Sequence, residues 1–95
     1  MKFFYVYVLR SQRDGRLYTG YSDNLRQRLR DHLDGHVEAT RRRLPLELIY
    51  YEACRCQADA TRRERYLKAA WGKRFLKSRL NAYLMGQAER QALEI

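Results

Sequence analysis

The segment from Phe3 to Tyr21 limits the possible folds more than any other part of the chain. FFYVYVL (Phe3–Leu9) is dense in β-branched and aromatic residues, the composition of a strand. SQRDGR (Ser11–Arg16) is turn chemistry, with Asp14-Gly15 as its tight point. LYTGY (Leu17–Tyr21) resumes an extended pattern. Two strands joined by so short a connection pair antiparallel. The chain therefore begins with a β-hairpin.

Beyond the hairpin, helix and strand signals alternate. Ser22 or Asp23 offers an N-cap for a helix reaching about Leu33, and Gly35 offers its stop. HVEATRRRLP is a basic loop, and Pro45 breaks structure ahead of a third strand, LELIYYEA (Leu46–Ala53). ADATRRERYLKAAW (Ala58–Trp71) predicts a second helix ending near Gly72, and KRFLKSRLNAYLM (Lys73–Met85) predicts a third, interrupted at Gly86. The order β-β-α-β-α-α describes a small α+β domain over residues 1–85. Residues 86–95 are left as a C-terminal tail with room for a short helical extension. A chain of 95 residues suits one such domain.

Charge narrows the partner. Twenty Lys and Arg against eleven Asp and Glu leave a formal net charge of +9. An excess this large on so small a body favours a polyanion, with nucleic acid first and an anionic membrane surface second. The candidate contacts are Arg41, Arg42 and Arg43, the Arg62, Arg63 and Arg65 group with Lys68, and Lys73, Arg74, Lys77 and Arg79. Cations on phosphates carry no sequence information, so weak selectivity or a preference for a flap, nick or single strand is expected. No apolar run approaches the roughly 20 residues that span a bilayer, and the opening MKFFYVYVLR reads as a strand rather than a signal peptide. Cys54 and Cys56 find no further Cys or His pair to complete a zinc site. Reduced thiols in a cytoplasmic protein are expected.

Helical spacing separates ordinary charges from unusual ones. In the first helix Leu25, Leu29 and Leu33 form an apolar stripe, and with steps of about 100° Arg28 and His32 fall on or beside it, while Arg26, Arg30 and Asp31 point away. In the second helix Ala60, Leu67 and Trp71 form the stripe and Glu64 falls inside it. An inward carboxylate costs several kcal/mol unless it is paired, protonated or bound to metal. A salt bridge to an arginine such as Arg28 is one outcome, and a catalytic carboxylate is the other. Tyr7 and Tyr18 alone would count as core aromatics, and His32 alone as a packing histidine. Together with an inward Glu in a very basic domain, they are the parts of a phosphoryl-transfer site. A carboxylate holds a divalent metal, an arginine balances phosphate charge, and a phenol or imidazole handles protons.

On these residues, the sequence resembles the GIY-YIG nuclease superfamily, in particular its small stand-alone bacterial (UPF0213-like) subfamily. Tyr5-Val6-Tyr7 stands where the first half of the signature belongs, and Tyr18-Thr19-Gly20 where the second belongs, eleven residues on from tyrosine to tyrosine. Tyr5 occupies the first motif's glycine position, and Val6 and Thr19 occupy its isoleucines. YSDNLRQRLRDH is similar to the family's S-x-N-L-x-x-R-L-x-x-H helix through Ser22, Asn24, Leu25, Arg28, Leu29 and His32. YYEA and RRERYLK resemble the later strand and the glutamate helix, so the likeness covers about Phe3 to Leu80.

The resemblance implies a three-stranded antiparallel sheet flanked by helices and an endonuclease active on phosphodiesters. Tyr7 and Tyr18 would line the site, one of them helping to deprotonate the attacking water. Arg28 would contact the scissile phosphate, and His32 would assist proton transfer or hold a water or phosphate. Glu64 would hold one Mg²⁺ or Mn²⁺, and Gly20 would permit close approach of the backbone, with Ser22 and Asn24 as motif support. The expected partner is nucleic acid, with DNA favoured and RNA possible, and neither a membrane nor a small-molecule cofactor is expected. Two rivals stand beside this. One is a non-catalytic nucleic-acid-binding module on the same fold, and the other is an interaction domain for an acidic protein.

Overall fold

A computed structural model describes residues 1–86 of the chain. Its elements are β1 (Phe4–Ser11), β2 (Leu17–Ser22), α1 (Leu25–Leu33), a 3-10 turn at Arg41–Arg43, β3 (Leu46–Cys54), α2 (Gln57–Lys68) and α3 (Ala70–Arg79). The three strands form one antiparallel sheet in the order β2-β1-β3. This is the expected α+β arrangement. The chain divides into two compact units, Met1–Glu64 and the segment that starts at Arg65.

In the first unit β1 is the central strand. Tyr7 sits opposite Gly20 on β2 and Tyr51 on β3, and Leu9 sits opposite Tyr18 and Leu48. The hairpin turns where the sequence predicts it. Gly15 adopts φ 73°, Asp14 accepts a 2.8 Å bond from the Arg16 amide, and the Ser11 hydroxyl accepts from the amides of Arg13 and Asp14. Tyr7, Leu9 and Leu46 form a buried cluster, against which Tyr18, Leu25, Leu29, Leu44 and Leu48 pack. Val6 and Val8, at 2% and 0% exposure, point to the opposite face of the sheet.

The first helix ends at Leu33, as expected, but differs from expectation in its N-cap and in its inner stripe. Its N-cap is Asn24 rather than Ser22 or Asp23, with the Asn24 side-chain oxygen accepting from the Gln27 amide. Ser22 belongs to β2, and its hydroxyl accepts from the Asn24 amide. Leu33, expected on the inner stripe, is 47% exposed, while His32 is the fully buried residue of the helix. The helix ends at Leu33, and Gly35 at φ 78° turns the chain away before another turn can cover that side chain.

On α2, Arg63 donates from Nε and Nη2 to the Glu52 carboxylate of β3, both at 2.9 Å, and the Tyr50 hydroxyl adds a 2.8 Å bond. Burial works against the Glu52 charge, but Arg63 and Tyr50 outweigh it and hold this carboxyl below its ordinary range. Arg63, grouped by sequence with the surface cations, is therefore a structural anchor. Arg62 is likewise occupied, pairing with Asp59.

The second unit corrects the helix boundary predicted near Gly72. α2 stops at Lys68, Ala69 takes an extended conformation, and α3 starts at Ala70. Trp71 therefore lies on α3 and is 68% exposed, not part of an inner stripe with Ala60 and Leu67. A side chain at Gly72 would collide with the Tyr66 carbonyl oxygen and the Leu67 Cα, so the two helix ends meet at a contact only glycine permits. Residues 81–86 are helical, and the tail expected as a helical extension, from Gln87 on, lies outside the described residues. Among the described residues no helix is long and apolar enough to cross a membrane.

In an open helix Gly→Ala gains about 1 kcal/mol. Here the backbone collision should reverse the sign, and Gly72→Ala should lose about 1–3 kcal/mol. The urea unfolding midpoint checks this.

Candidate active site

The site grows from how α1 is started. Ser22 orients Asn24, and Asn24 caps the helix. Arg28 lies one turn after the cap and His32 one turn later, on one flank of the helix facing β1 and β2. Across from them stands Tyr7. Its neighbour on β2 is Gly20, where any Cβ would collide with the Tyr7 ring and hydroxyl. Gly20 thus makes the space in which the Tyr7 ring lies.

The Tyr7 hydroxyl meets His32 Nε2 at 2.7 Å, and His32 Nδ1 meets the Thr40 hydroxyl, also at 2.7 Å. His32 and Thr40 are both 0% exposed and Tyr7 is 1% exposed. The Tyr18 ring stands edge-on to the imidazole at 5.2 Å and lies 6.5 Å from the Tyr7 ring. The hydrogen-bonded chain runs in either direction with the tautomer. With its proton on Nδ1, His32 donates to Thr40 and accepts from Tyr7. With its proton on Nε2, it donates to Tyr7 and accepts from Thr40. Both ring nitrogens are engaged within the protein.

Burial and the Arg28 charge together lower the His32 pKa to about 4, against a weaker pull from Asp31. The ring is therefore neutral at physiological pH. Burial raises the Tyr7 phenol above its ordinary value, and the charges of Tyr18 and Glu64 add to this, while Arg28 opposes it through hydrogen bonding and charge. Arg28 is in turn held more firmly protonated, chiefly by Tyr7. Tyr7, Tyr18, Arg28 and His32 are thus brought together, and the half-buried Glu64 is near enough for its charge to act on Tyr7. The described residues contain no group of three or more His, Cys, Asp or Glu suited to hold a metal.

Thr40 is the participant that the sequence did not suggest. It lies in the loop read as basic, eight residues after His32, where no helical or strand period pairs the two. Turn bonds from the Thr40 amide to Val37 and from the Arg43 amide to Thr40 bring it inward.

The basic candidates behave differently from one another. Arg41 and Arg42 are exposed. Arg43 turns its guanidinium toward Asp14 at 3.4 Å, while its carbonyl accepts from Ser11 at 2.6 Å. Lys68, Lys73 and Arg74 belong to the second unit and are exposed there. Tyr5, at the motif's glycine position, packs 6.3 Å from Tyr51 and lines a cleft of about 420 Å³ beside α1.

This geometry has two measurable outcomes. Because the fold depresses the His32 pKa from 6.5 to about 4, the unfolded chain takes up a proton first on acidification. Its contribution to stability is complete above pH 6.5 and declines as pH falls toward 4, by about 3 kcal/mol in all. Urea unfolding across this range should show that slope in the parent protein and a flatter one in His32→Gln. Separately, Gly20→Ala should displace Tyr7 and lower stability by about 1–3 kcal/mol. The loss should be largely absent when Tyr7→Ala is already present, which a double-mutant cycle measures.

The family described as the GIY-YIG catalytic domain matches residues 3–79. A UPF0213 protein of Bacillus licheniformis is 46% identical over 65 residues, covering 67% of this chain and 66% of that protein's length. A UPF0213 protein of Pediococcus acidilactici is 43% identical over 77 residues, covering 78% of each. The solution structure of a UPF0213 protein from Bacillus halodurans superimposes with a TM-score of 0.51 at 33% identity, covering 80% of this chain and 83% of that one. The chain therefore belongs to the GIY-YIG family, among its small UPF0213-like members.

Proposed function

We propose that the protein is a divalent-metal-dependent endonuclease that hydrolyses phosphodiester bonds of nucleic acid, DNA by preference, with little regard to sequence. The observation that carries this is the buried Tyr7–His32–Thr40 chain beside Arg28. Beyond tying strand, helix and loop together, a neutral imidazole held between two hydroxyls beside an arginine is an arrangement able to move a proton, which binding alone does not require. Membership of a nuclease family supports the same reaction class.

In this mechanism Tyr7 begins protonated, as its raised pKa requires. His32, 2.7 Å away, is placed to take the phenol proton at Nε2 as Tyr7 takes one from the attacking water, so that no free phenolate has to form against the raised Tyr7 pKa, and the Arg28 guanidinium steadies the phenol oxygen. Water entering between Tyr7 and the phosphate gives up a proton to that oxygen as it attacks. Arg28 offsets the charge added to the phosphate, and Tyr18 walls the site against bulk water. Thr40 holds the imidazole in line with Tyr7 throughout. Glu64 is the carboxylate that would hold Mg²⁺ or Mn²⁺. A hard ion that keeps most of its waters and takes its remaining ligands from substrate phosphate suits a single carboxylate of this kind. When bound, it would polarise a phosphoryl oxygen and counter the added charge.

The test is cleavage of supercoiled plasmid and branched DNA with Mg²⁺ or Mn²⁺. Glu64→Gln should lower the rate by about 10²–10³ or more. Its salt-sensitive DNA binding should stay within a few-fold of the parent. Equal cleavage by both proteins would rule this site out. Binding without cleavage by the parent would instead identify a non-catalytic module.

A further inference from the structure

The second unit carries an aromatic residue that neither the core nor the proposed reaction uses. Trp71 is 68% exposed on the first turn of α3. Burying an indole is among the larger gains available to a small protein, so leaving one in water calls for an occupant. One face of the ring already carries the Arg74 guanidinium, 4.8 Å from the ring centroid. That stacking holds the indole in place and sets a positive charge against it.

The surroundings select the occupant. From Arg65 to Gly86 the chain has no Asp or Glu, and α3 alone bears Lys73, Arg74, Lys77 and Arg79, all exposed. One turn after Trp71 on the same face stand Arg74 and the half-buried Phe75, and two turns after it Ser78, so the exposed positions beside the indole are charged or polar. A protein hot spot would surround its aromatic anchor with apolar contact area. A single exposed indole among cations matches a flat π surface flanked by anions, which is a nucleobase between two phosphates. Duplex DNA presents its phosphates but keeps its base faces stacked inside. Only an unpaired segment offers both.

We propose that Trp71 and Arg74 form a stacking platform for an unpaired nucleobase. The strand that the second unit engages is then single-stranded, as in a flap, gap or free end. This rests on the proposed nucleic-acid function and deepens it by naming the substrate class. Trp71 stacks the base, the cations of α3 bind the adjoining phosphates, and Arg74 braces the indole from its other face.

Trp71 is the single tryptophan of the chain, so its fluorescence reports the contact directly. The experiment uses the full chain in EDTA, which prevents cleavage, and titrates it with an oligothymidylate of about ten nucleotides. A duplex of equal length and an abasic oligonucleotide serve as comparisons. The oligothymidylate should quench the emission strongly, and the duplex and abasic strands should bind with little quenching. By fluorescence anisotropy of labelled strands, Trp71→Leu should weaken oligothymidylate binding by about ten-fold. Trp71→Phe should keep it within about three-fold, and duplex affinity should stay within about two-fold in both variants. Urea unfolding identifies a variant that has lost its fold, in which case Trp71→Phe and the parent quenching decide. Oligothymidylate binding without quenching, or equal losses for single strand and duplex, would overturn the platform while leaving nucleic-acid binding intact. Failure of the parent protein to bind either strand would overturn both readings and leave an acidic protein as the partner of this face.

Discussion

The hydrogen bond between the Tyr7 hydroxyl and His32 Nε2 joins the parts of the first unit that must agree for a site to exist. Tyr7 belongs to the central strand, His32 to α1, and Thr40, on the far nitrogen, to the loop beyond it. All three are buried, and a buried polar group left without its partner costs about 1–3 kcal/mol. The register of β1, the rotation of α1 and the path of the loop are therefore not independent. A slip in any one strands a donor or an acceptor in the interior. The same burial that makes the chain structurally necessary also lowers the His32 basicity and raises the Tyr7 pKa, so the packing of this fold and its proton chemistry have one cause.

A second constraint positions the carboxylate. Glu64 comes directly after Arg63 in α2, and the two-pronged contact of Arg63 with Glu52 ties that helix to β3. Neighbouring residues on a helix point about 100° apart, so fixing one side chain against the sheet sets the direction of the next. An arginine fork resists rotation better than a lysine would, because two bonds must break together.

The large positive charge divides into two populations with different physics. Arg28, Arg43 and Arg63 are turned to partners within the fold, respectively Tyr7, Asp14 and Glu52. Arg41, Arg42 and the cations of α3 stand at the surface, where a polyanion can displace their counterions. Net charge alone does not reveal this division. It overstates the binding surface by counting cations whose field is already answered inside.

Local chemistry in the sequence determined much of this protein. Strand composition and the Asp14-Gly15 turn specify the hairpin, the period of α1 turns Arg28 and His32 inward, and the spacing of the tyrosine motifs and the helix after them marks the GIY-YIG family. Those signals work because capping, turn geometry and periodicity act over a few residues. The tertiary structure decided what depends on distant partners. It brought Thr40 to His32, engaged Arg63 with Glu52, and gave Tyr7 its space over Gly20. It also ended α2 at Lys68, where the close contact at Gly72 allows α3 to begin anew, and so left Trp71 in solvent although its spacing from Ala60 and Leu67 suggested burial. A period describes one uninterrupted helix, and only the fold decides where that helix stops.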